Sequence, residues 1–338
     1  VIAVLCGGVG AARMLRGLAM VHPAADTVAV VNTGDDTVLH GLSISPDLDT
    51  ITYTLSEAID PERGWGLAGE TWQAMAGLAR FEPARPAGSA AGATWFNLGD
   101  RDLATHMYRT GRLAEGATLA DVTAEIAAAF GVTQRLLPMS NDPVRTMITL
   151  ADPAPGAAGE VPFQEYFVRL RHSVAVRSVR FQGVDTATLH PAAAAALDTA
   201  EVVVIAPSNP LVSVAPIRAL AGVDQRLAAR RESVVAVSPI VGGAALKGPA
   251  DRMMDELGHS SSVVAVARLY APIAATLVID PADAHLAGAV ADAGMRPLVV
   301  PSVMSSPHVA AELAARTLDA ARRPSRPVRG FPGRPAAT

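Results

Sequence analysis

Six short runs of β-branched and aliphatic residues, none alternating with polar ones, constrain this chain more than any other feature. They are Ile2 to Cys6, Thr27 to Val31, Val202 to Ala206, Val234 to Ser238, Ala275 to Ile279 and Leu298 to Val300. A strand with one wet face alternates, whereas a strand covered on both faces stays apolar throughout. Helical stretches separate the runs. The pattern therefore predicts an α/β protein built on a Rossmann-like, doubly wound, mostly parallel sheet. The first run opens a βα unit, with Gly7 to Gly10 as a tight loop and Ala11 to about Met20 as a helix.

The middle of the chain breaks this rhythm. From about Asp60 to Ala129 it is helix-rich, with a helix start at Thr118; Pro83 to Thr94 reads as a flexible loop; Arg145 to Gly183 is strand-like. We expect residues 1–322 to form one α/β domain with a mixed subdomain inserted at about 60–190. Residues 323–338, rich in Pro and Arg, are expected to be a disordered tail.

Composition narrows the partners. Half of the 338 residues are hydrophobic, 18% are charged and 4% are aromatic, with a net charge of −4. That supplies neither a basic surface for a nucleic-acid backbone nor stacking platforms for single strands, so the expected ligands are small molecules. Lys247, the only lysine, leaves no other residue for Schiff-base chemistry. Cys6 is the only cysteine, so no intramolecular disulfide can form, and its apolar setting predicts a buried, inert thiol in a reducing compartment. The apolar start at Val1 lacks a positive leader, and Val202 to Ile217 is interrupted by Pro207, Pro210 and Pro216. A cytoplasmic protein without membrane contact is expected.

Six polar segments carry the chemistry. Gly7-Gly8-Val9-Gly10-Ala11-Ala12-Arg13 lies between strand and helix, where glycines let backbone amides approach an anion. It lacks the Gly-Lys-Ser/Thr ending of a P-loop. As a dinucleotide fingerprint it fails at Arg13 and at Asn32, which stands where NAD enzymes carry an acidic residue. Phosphate binding is the expected role, and a ligand-free turn is the alternative. Gly34-Asp35-Asp36 and Ser45-Pro46-Asp47-Leu48-Asp49-Thr50 then concentrate carboxylates just past the second strand. Crowded carboxylates need a proton or a cation, and magnesium takes one or two of them together with phosphate oxygens. Asp35, Asp36, Asp47 and Asp49 are the candidate metal ligands, with Asx-turns and helix caps as the alternative.

Leu98-Gly99-Asp100-Arg101-Asp102-Leu103-Ala104-Thr105-His106 reads as a helix start, with Asp100 as its cap and a salt-bridged surface helix as the plainer reading. Leu137-Pro138-Met139-Ser140-Asn141-Asp142-Pro143 is a polar turn. Ala206-Pro207-Ser208-Asn209-Pro210 and Val237-Ser238-Pro239-Ile240-Val241-Gly242-Gly243 place small polar residues at strand ends, converging on Gly7 to Gly10.

Seven blocks drawn from these six segments, in order from Val1 to roughly Ala321, closely resemble the 2-phospho-L-lactate transferase (CofD-like) family of deazaflavin coenzyme F-420 biosynthesis. They are Gly7 to Gly10, Val31 to Asp36, Ser45 to Thr50, Leu98 to Asp102, Leu137 to Ser140, Ala206 to Pro210 and Ser238 to Ile240. The resemblance implies a Rossmann-like core, a homodimer and dependence on Mg2+. It also implies transfer of a phospholactyl, phosphoenolpyruvyl or phosphoglyceryl group from a guanosine diphosphate-linked donor. The acceptor would be the ribityl hydroxyl of 7,8-didemethyl-8-hydroxy-5-deazariboflavin, with GMP released. Family contacts to the deazaflavin map onto Asp49 and Asn97; some members carry Arg or Lys at the latter position. Within that scheme Asp49 and Asp47 are the catalytic candidates. Gly7, Gly8, Gly10, Arg13, Ser208 and Asn209 are the donor phosphate and nucleotide candidates. A non-catalytic regulator of the same fold, binding a nucleotide or sugar nucleotide, is the competing expectation.

Overall fold

The computed structural model describes residues 1–86, 89, 91–152 and 158–322. The chain opens with β1 (Ile2–Cys6), α1 (Gly8–Val21) and β2 (Thr27–Val31). A hairpin of β3 (Thr37–Leu39) and β4 (Leu42–Ile44) leads into α2 (Pro46–Leu55). Three further helices, α3 (Gln73–Ala79), α4 (Asp102–Ala114) and α5 (Leu119–Ala129), return the chain to β5 (Arg135–Pro138). Next, β6 (Arg145–Leu150), β7 (Glu160–Pro162) and β8 (Val176–Gln182) form a separate antiparallel sheet. Then α6 (Pro191–Thr199), β9 (Val202–Ile205), α7 (Ala215–Ala219), α8 (Val223–Ala229) and β10 (Val234–Val237) resume the βα alternation. A small ladder of β11 (Ile240–Val241) and β12 (Ala244–Ala245) precedes α9 (Ala250–Glu256) and α10 (Val263–Tyr270). The chain continues through β13 (Thr276–Ile279), α11 (Ala287–Asp292) and β14 (Arg296–Val299) to α12 (Pro307–Arg322).

The main sheet has the order β14-β13-β10-β9-β1-β2-β5, and every neighbouring pair is parallel. From β1 the chain winds outward through β2 to β5, then returns to β9 and winds the other way. The switch point lies between β1 and β9, the crevice where ligands bind in open α/β sheets. Register brings the strand ends level, with Cys6 opposite Val31 and Leu5 opposite Ile205. Gly7, Asn32 and Ala206 therefore leave the sheet along one rim.

The missing alternation in the sequence has a direct cause. Ala3 and Leu5 pack into one apolar layer with Val203 and Ile205, while Ile2, Val4 and Cys6 pack into the opposite layer with Leu15 and Leu313. Both faces are dry, so every position is apolar. Cys6 is fully buried, and burial together with the Asp47 charge raises its thiol pKa, as an inert cysteine requires. Among the described residues no helix is long and apolar enough to cross a membrane.

Two expectations need correction. The segment at about 60–190 is not one insertion, because β5 within it is the edge strand of the main sheet beside β2. The additions fall on either side of β5, as α3 to α5 before it and the antiparallel sheet after it. The run written as Leu298 to Val300 begins earlier, at Arg296, because pairing with Thr276 extends the edge strand outward. The tail at 323–338, and residues 87, 88 and 90 of the loop from Pro83, lie outside the described residues.

One glycine fixes how the last helix closes the layer around β1. A Cβ added to Gly17 on α1 would fall within the backbone of Ala310 on α12. Overpacking of this kind typically costs about 1–3 kcal/mol. Gly17→Ala should lower the urea midpoint accordingly while leaving ligand affinity per folded molecule unchanged. An unshifted midpoint would mean that α12 is free to move away.

Candidate active site at the sheet switch point

Helix α1 begins inside the glycine segment. Gly7 is its cap and Gly8, at φ +72°, is already its first residue, so the expected loop is shorter than Gly7 to Gly10. Two of its amides are engaged: Gly7 N–H donates to Ser208 Oγ (3.2 Å) and Gly8 N–H donates to Asp47 Oδ1 (2.8 Å). Ser208 Oγ also donates to the Gly7 carbonyl (2.8 Å), which fastens the loop after β9 to the loop after β1. The glycines permit close approach. A Cβ on Gly7 would meet Asp47 Oδ2 at 2.5 Å, and one on Gly10 would meet the Pro207 carbonyl oxygen at 2.5 Å. Gly10 is thus required by the packing of the two loops.

The acidic cluster is buried. Asp35, Asp47 and Asp49 are each less than a tenth exposed. Asp47 is held at both oxygens, by Gly8 N–H and by the Asn32 amide donating to Oδ2 (2.9 Å). Asn32 in turn accepts from Gly34 N–H (2.9 Å), so the residue ending β2 ties the cluster to the sheet. Asp36 accepts from Ser45 Oγ (2.7 Å). Burial raises the Asp35 pKa, assisted by the charges of Asp47 and Asp36, and burial likewise raises that of Asp36. Burial pushes Asp47 up to about 6 against the pull of its Asn32 and Gly8 hydrogen bonds. Asp35 Oδ1, Asp36 Oδ1 and the neighbouring Thr33 Oγ1 are buried without partners. Beside them Thr33, Asp36, Ser43, Ser45, Asn141 and Arg145 line a cleft of about 170 Å³.

Helix α4 supplies what the sequence reading missed. Its outer face is the salt-bridged surface expected, with Arg112 paired to Glu115 and Glu125, but its inner face is not: His106 and Arg109 are 1% and 2% exposed. The Arg109 guanidinium grips Asp49 with both terminal nitrogens, Nη2 on Oδ1 and Nη1 on Oδ2, the latter at 3.1 Å. Nη1 also reaches the Ser43 carbonyl (3.4 Å) and His106 Nδ1 (3.4 Å). A guanidinium has no acceptor, so Nδ1 accepts in that contact, while Nε2 lies 3.2 Å from Asp102 Oδ2 but out of hydrogen-bond alignment. The Tyr53 hydroxyl bridges Asp102 and Thr105. Asp49, Asp102 and His106 offer ligand-type atoms within 4.8 Å of one another, but a metal there would have to displace the guanidinium.

The caps of α3 and α4 are exchanged relative to expectation. Asp100 accepts from Gln73 N–H (2.9 Å) and Ala74 N–H (3.0 Å) and so caps α3. Glu70 accepts from Arg101 N–H and Asp102 N–H, both at 2.8 Å, and caps α4. Among the remaining candidates, Asn97 is exposed beside Leu98, which packs on Ile44 at the foot of the acidic segment. Arg13 is exposed and its guanidinium donates to the Met304 carbonyl (3.5 Å). Asn209 accepts from Leu211 N–H (2.9 Å), so its carbonyl serves the turn that follows β9.

Carboxylates gathered past the strand ends of a doubly wound sheet, with a mostly apolar cleft beside them that Asp36, Ser45 and Arg145 also line, define the class: an α/β protein with a ligand site at that rim. The comparisons make it specific. The chain belongs to the family described as 2-phospho-L-lactate transferase CofD, whose profile matches residues 2–298. It is a phospholactyl-type transferase of coenzyme F-420 biosynthesis. It is 40% identical over 319 residues to a phosphoenolpyruvate transferase of Kitasatospora aureofaciens, spanning 94% of this chain and 96% of that protein. A phosphoenolpyruvate transferase of Mycobacterium avium is 38% identical over 344 residues, spanning 95% of this chain and 98% of the other. The fold is also that of a crystal structure of a upf0052 family member from Bacillus halodurans. That match has a TM-score of 0.57 at 17% identity, covering 94% of this chain and 98% of the other. The regulator alternative finds no support in these relatives.

The raised Asp47 pKa has a consequence for stability. Its folded value exceeds the unfolded one, so the native state holds this proton longer. The contribution is full below about pH 4 and is lost as pH climbs to about 6, a change on the order of 2 kcal/mol. In chelator, wild-type urea midpoints should fall from pH 4 to pH 7 more than those of Asp47→Asn. Parallel profiles would assign the pH dependence elsewhere.

Proposed function

We propose that the group moved is phosphoenolpyruvyl, from a guanosine diphosphate-linked donor to the ribityl hydroxyl of 7,8-didemethyl-8-hydroxy-5-deazariboflavin. Relatives 37–40% identical over 94–95% of the chain are phosphoenolpyruvate transferases, which supports the choice of acid. The same reading takes the enzyme to be a cytoplasmic homodimer. The observation that carries the site is the burial of Asp35, Asp47 and Asp49, with the half-buried Asp36 beside them and the Arg109 guanidinium paired to Asp49.

Such a cluster needs a further cation before a diphosphate can enter. Mg2+ fits the donor set: Asp35 and Asp36 each keep a buried oxygen without a partner, whereas Asp47 and Asp49 have both oxygens engaged. Asp35 and Asp36 would hold the ion, which supplies charge neutralisation at the phosphate oxygens. Asp47 keeps Gly8 and Asn32 in place beside them. The first turn of α1 faces the donor phosphates, with Gly7, Gly10 and Ser208 setting the approach of the two loops. In this scheme Arg13 and Asn209 stand at the nucleotide end and Asn97 at the acceptor end.

The ribityl oxygen forms a bond to the phosphorus nearer the acid, and the bond from that phosphorus to the bridging oxygen breaks. The bridging oxygen leaves with GMP, and the hydroxyl proton passes to solvent. Asp49 accepts a hydrogen bond from the attacking hydroxyl and aims it; transfers of this type depend mainly on positioning and charge neutralisation.

Asp49→Asn is nearly isosteric but leaves the buried Arg109 charge unpaired, so it should lose stability and, per folded molecule, on the order of a hundredfold in turnover. Retention of more than about a third of wild-type turnover would remove Asp49 from the mechanism. With enolpyruvyl, lactyl and glyceryl donors in competition, mass spectrometry should find the enolpyruvyl product in excess; a lactyl or glyceryl excess would reassign the acid. Chelation should weaken donor binding in calorimetry and leave deazaflavin binding nearly unchanged. Equal donor affinity with and without chelator would sink the metal assignment.

A further inference from the structure

We infer that Arg109 is the positioning residue of the reaction: it sets the direction of the Asp49 carboxylate, and His106 with Asp102 and Tyr53 sets the direction of Arg109. This rests on the reading that Asp49 meets the acceptor hydroxyl.

The pair is poorly explained as a stabilising contact. A buried ion pair costs desolvation that its attraction scarcely offsets, and apolar replacements of similar volume are often neutral or better. Arg109 adds to that cost, because its Nε is buried with no partner. What the arrangement does secure is geometry. Two parallel nitrogen–oxygen contacts fix both the position and the plane of a carboxylate, which a single ammonium cannot do. The guanidinium is itself held from two further sides, by the Ser43 carbonyl on β4 and by His106 Nδ1 one turn back on α4. Behind it, Asp102 Oδ2 lies 3.2 Å from His106 Nε2, and Tyr53 ties Asp102 to α2, the helix that carries Asp49. The chain of contacts leaves α2 at Asp49 and returns to it at Tyr53, so the carboxylate is aimed by a closed loop of side chains. Each oxygen of Asp49 still has a lone pair beyond the one given to Arg109, enough to accept from a substrate hydroxyl.

The test uses full-length Arg109→Lys, Arg109→Met, Asp49→Asn and the double variant Asp49→Asn/Arg109→Met. Melting curves give the folded fraction, and turnover is measured with each substrate varied in turn. Arg109→Lys keeps the charge without the fork. It should fold, lose about tenfold in kcat and raise the acceptor KM, with the donor KM within about twofold of wild type. The double variant should be no slower than the worse single one, because residues acting as a unit are not additive. Wild-type turnover in Arg109→Lys alongside an inactive Asp49→Asn would overturn the positioning role and leave the acceptor reading standing. Full activity in Asp49→Asn would take both down. Equal increases in the two KM values, or losses that multiply in the double variant, would also overturn it. If Arg109→Met does not fold, the lysine variant alone decides.

Discussion

Three carboxylates taken out of water at one sheet rim and a fourth half-buried beside them, with the Arg109 guanidinium buried against Asp49, are the constraint on which the rest of the site depends. Each carboxylate is compensated differently. Asp47 has two amide donors, Asp49 has a guanidinium, Asp36 has a hydroxyl, and Asp35 keeps a bare oxygen. The first two are complete as they stand and the last two are not. Burial is what raises the Asp35 and Asp36 pKa values, and their unpartnered oxygens are where a divalent ion would relieve it. The division of labour among chemically identical side chains thus comes from their hydrogen-bond partners.

The additions to the Rossmann core follow from the same constraint. A bare doubly wound sheet puts loops at its switch point but no buried cation beside them. Helix α4 delivers one. It is fixed at its start by Glu70 and along its length by Thr110, whose hydroxyl accepts from Ser43 N–H (2.8 Å) on β4. Asp100 and Glu70 each cap the other segment's helix, so the starts of α3 and α4 are locked to one another. Arg109 then enters the site from a rigid element, which suits a residue that must hold a direction.

The strands were legible because burial on both faces imposes a composition that little else requires; Thr27 to Val31 is recovered to the residue. The acidic segments were legible because aspartates two apart or adjacent have no structural reason to crowd. Arg109 and His106 were not read as site residues, yet a signal existed. Asp102, Thr105, His106 and Arg109 stand at i, i+3, i+4 and i+7, the spacing of an inward-facing stripe, here filled with polar groups. A polar stripe on a helix suggests solvent when no partner is known, and the partners lie about sixty residues away on α2 and β4. The sequence also could not show that β5 rejoins the main sheet, since Arg135 to Pro138 is short and ends in proline. Its edge position tolerates that residue, as an interior strand would not.

The Asp47–Gly8 contact links the two halves of the chemistry. The amino terminus of α1 carries the partial positive charge that favours an anion, and in this state Asp47 fills one of its amide positions. A phosphate arriving at the same turn meets a helix end already facing a carboxylate, so its attraction depends on the charge state of the cluster. Neutralising Asp35 and Asp36 lowers the local negative potential, and Asp47, near its midpoint at about pH 6, responds to that change. On the proposal that Asp35 and Asp36 hold a cation, donor recognition and cation recognition would be two readings of one electrostatic balance. That is the reason to expect their binding to be coupled even though phosphate and metal meet different residues.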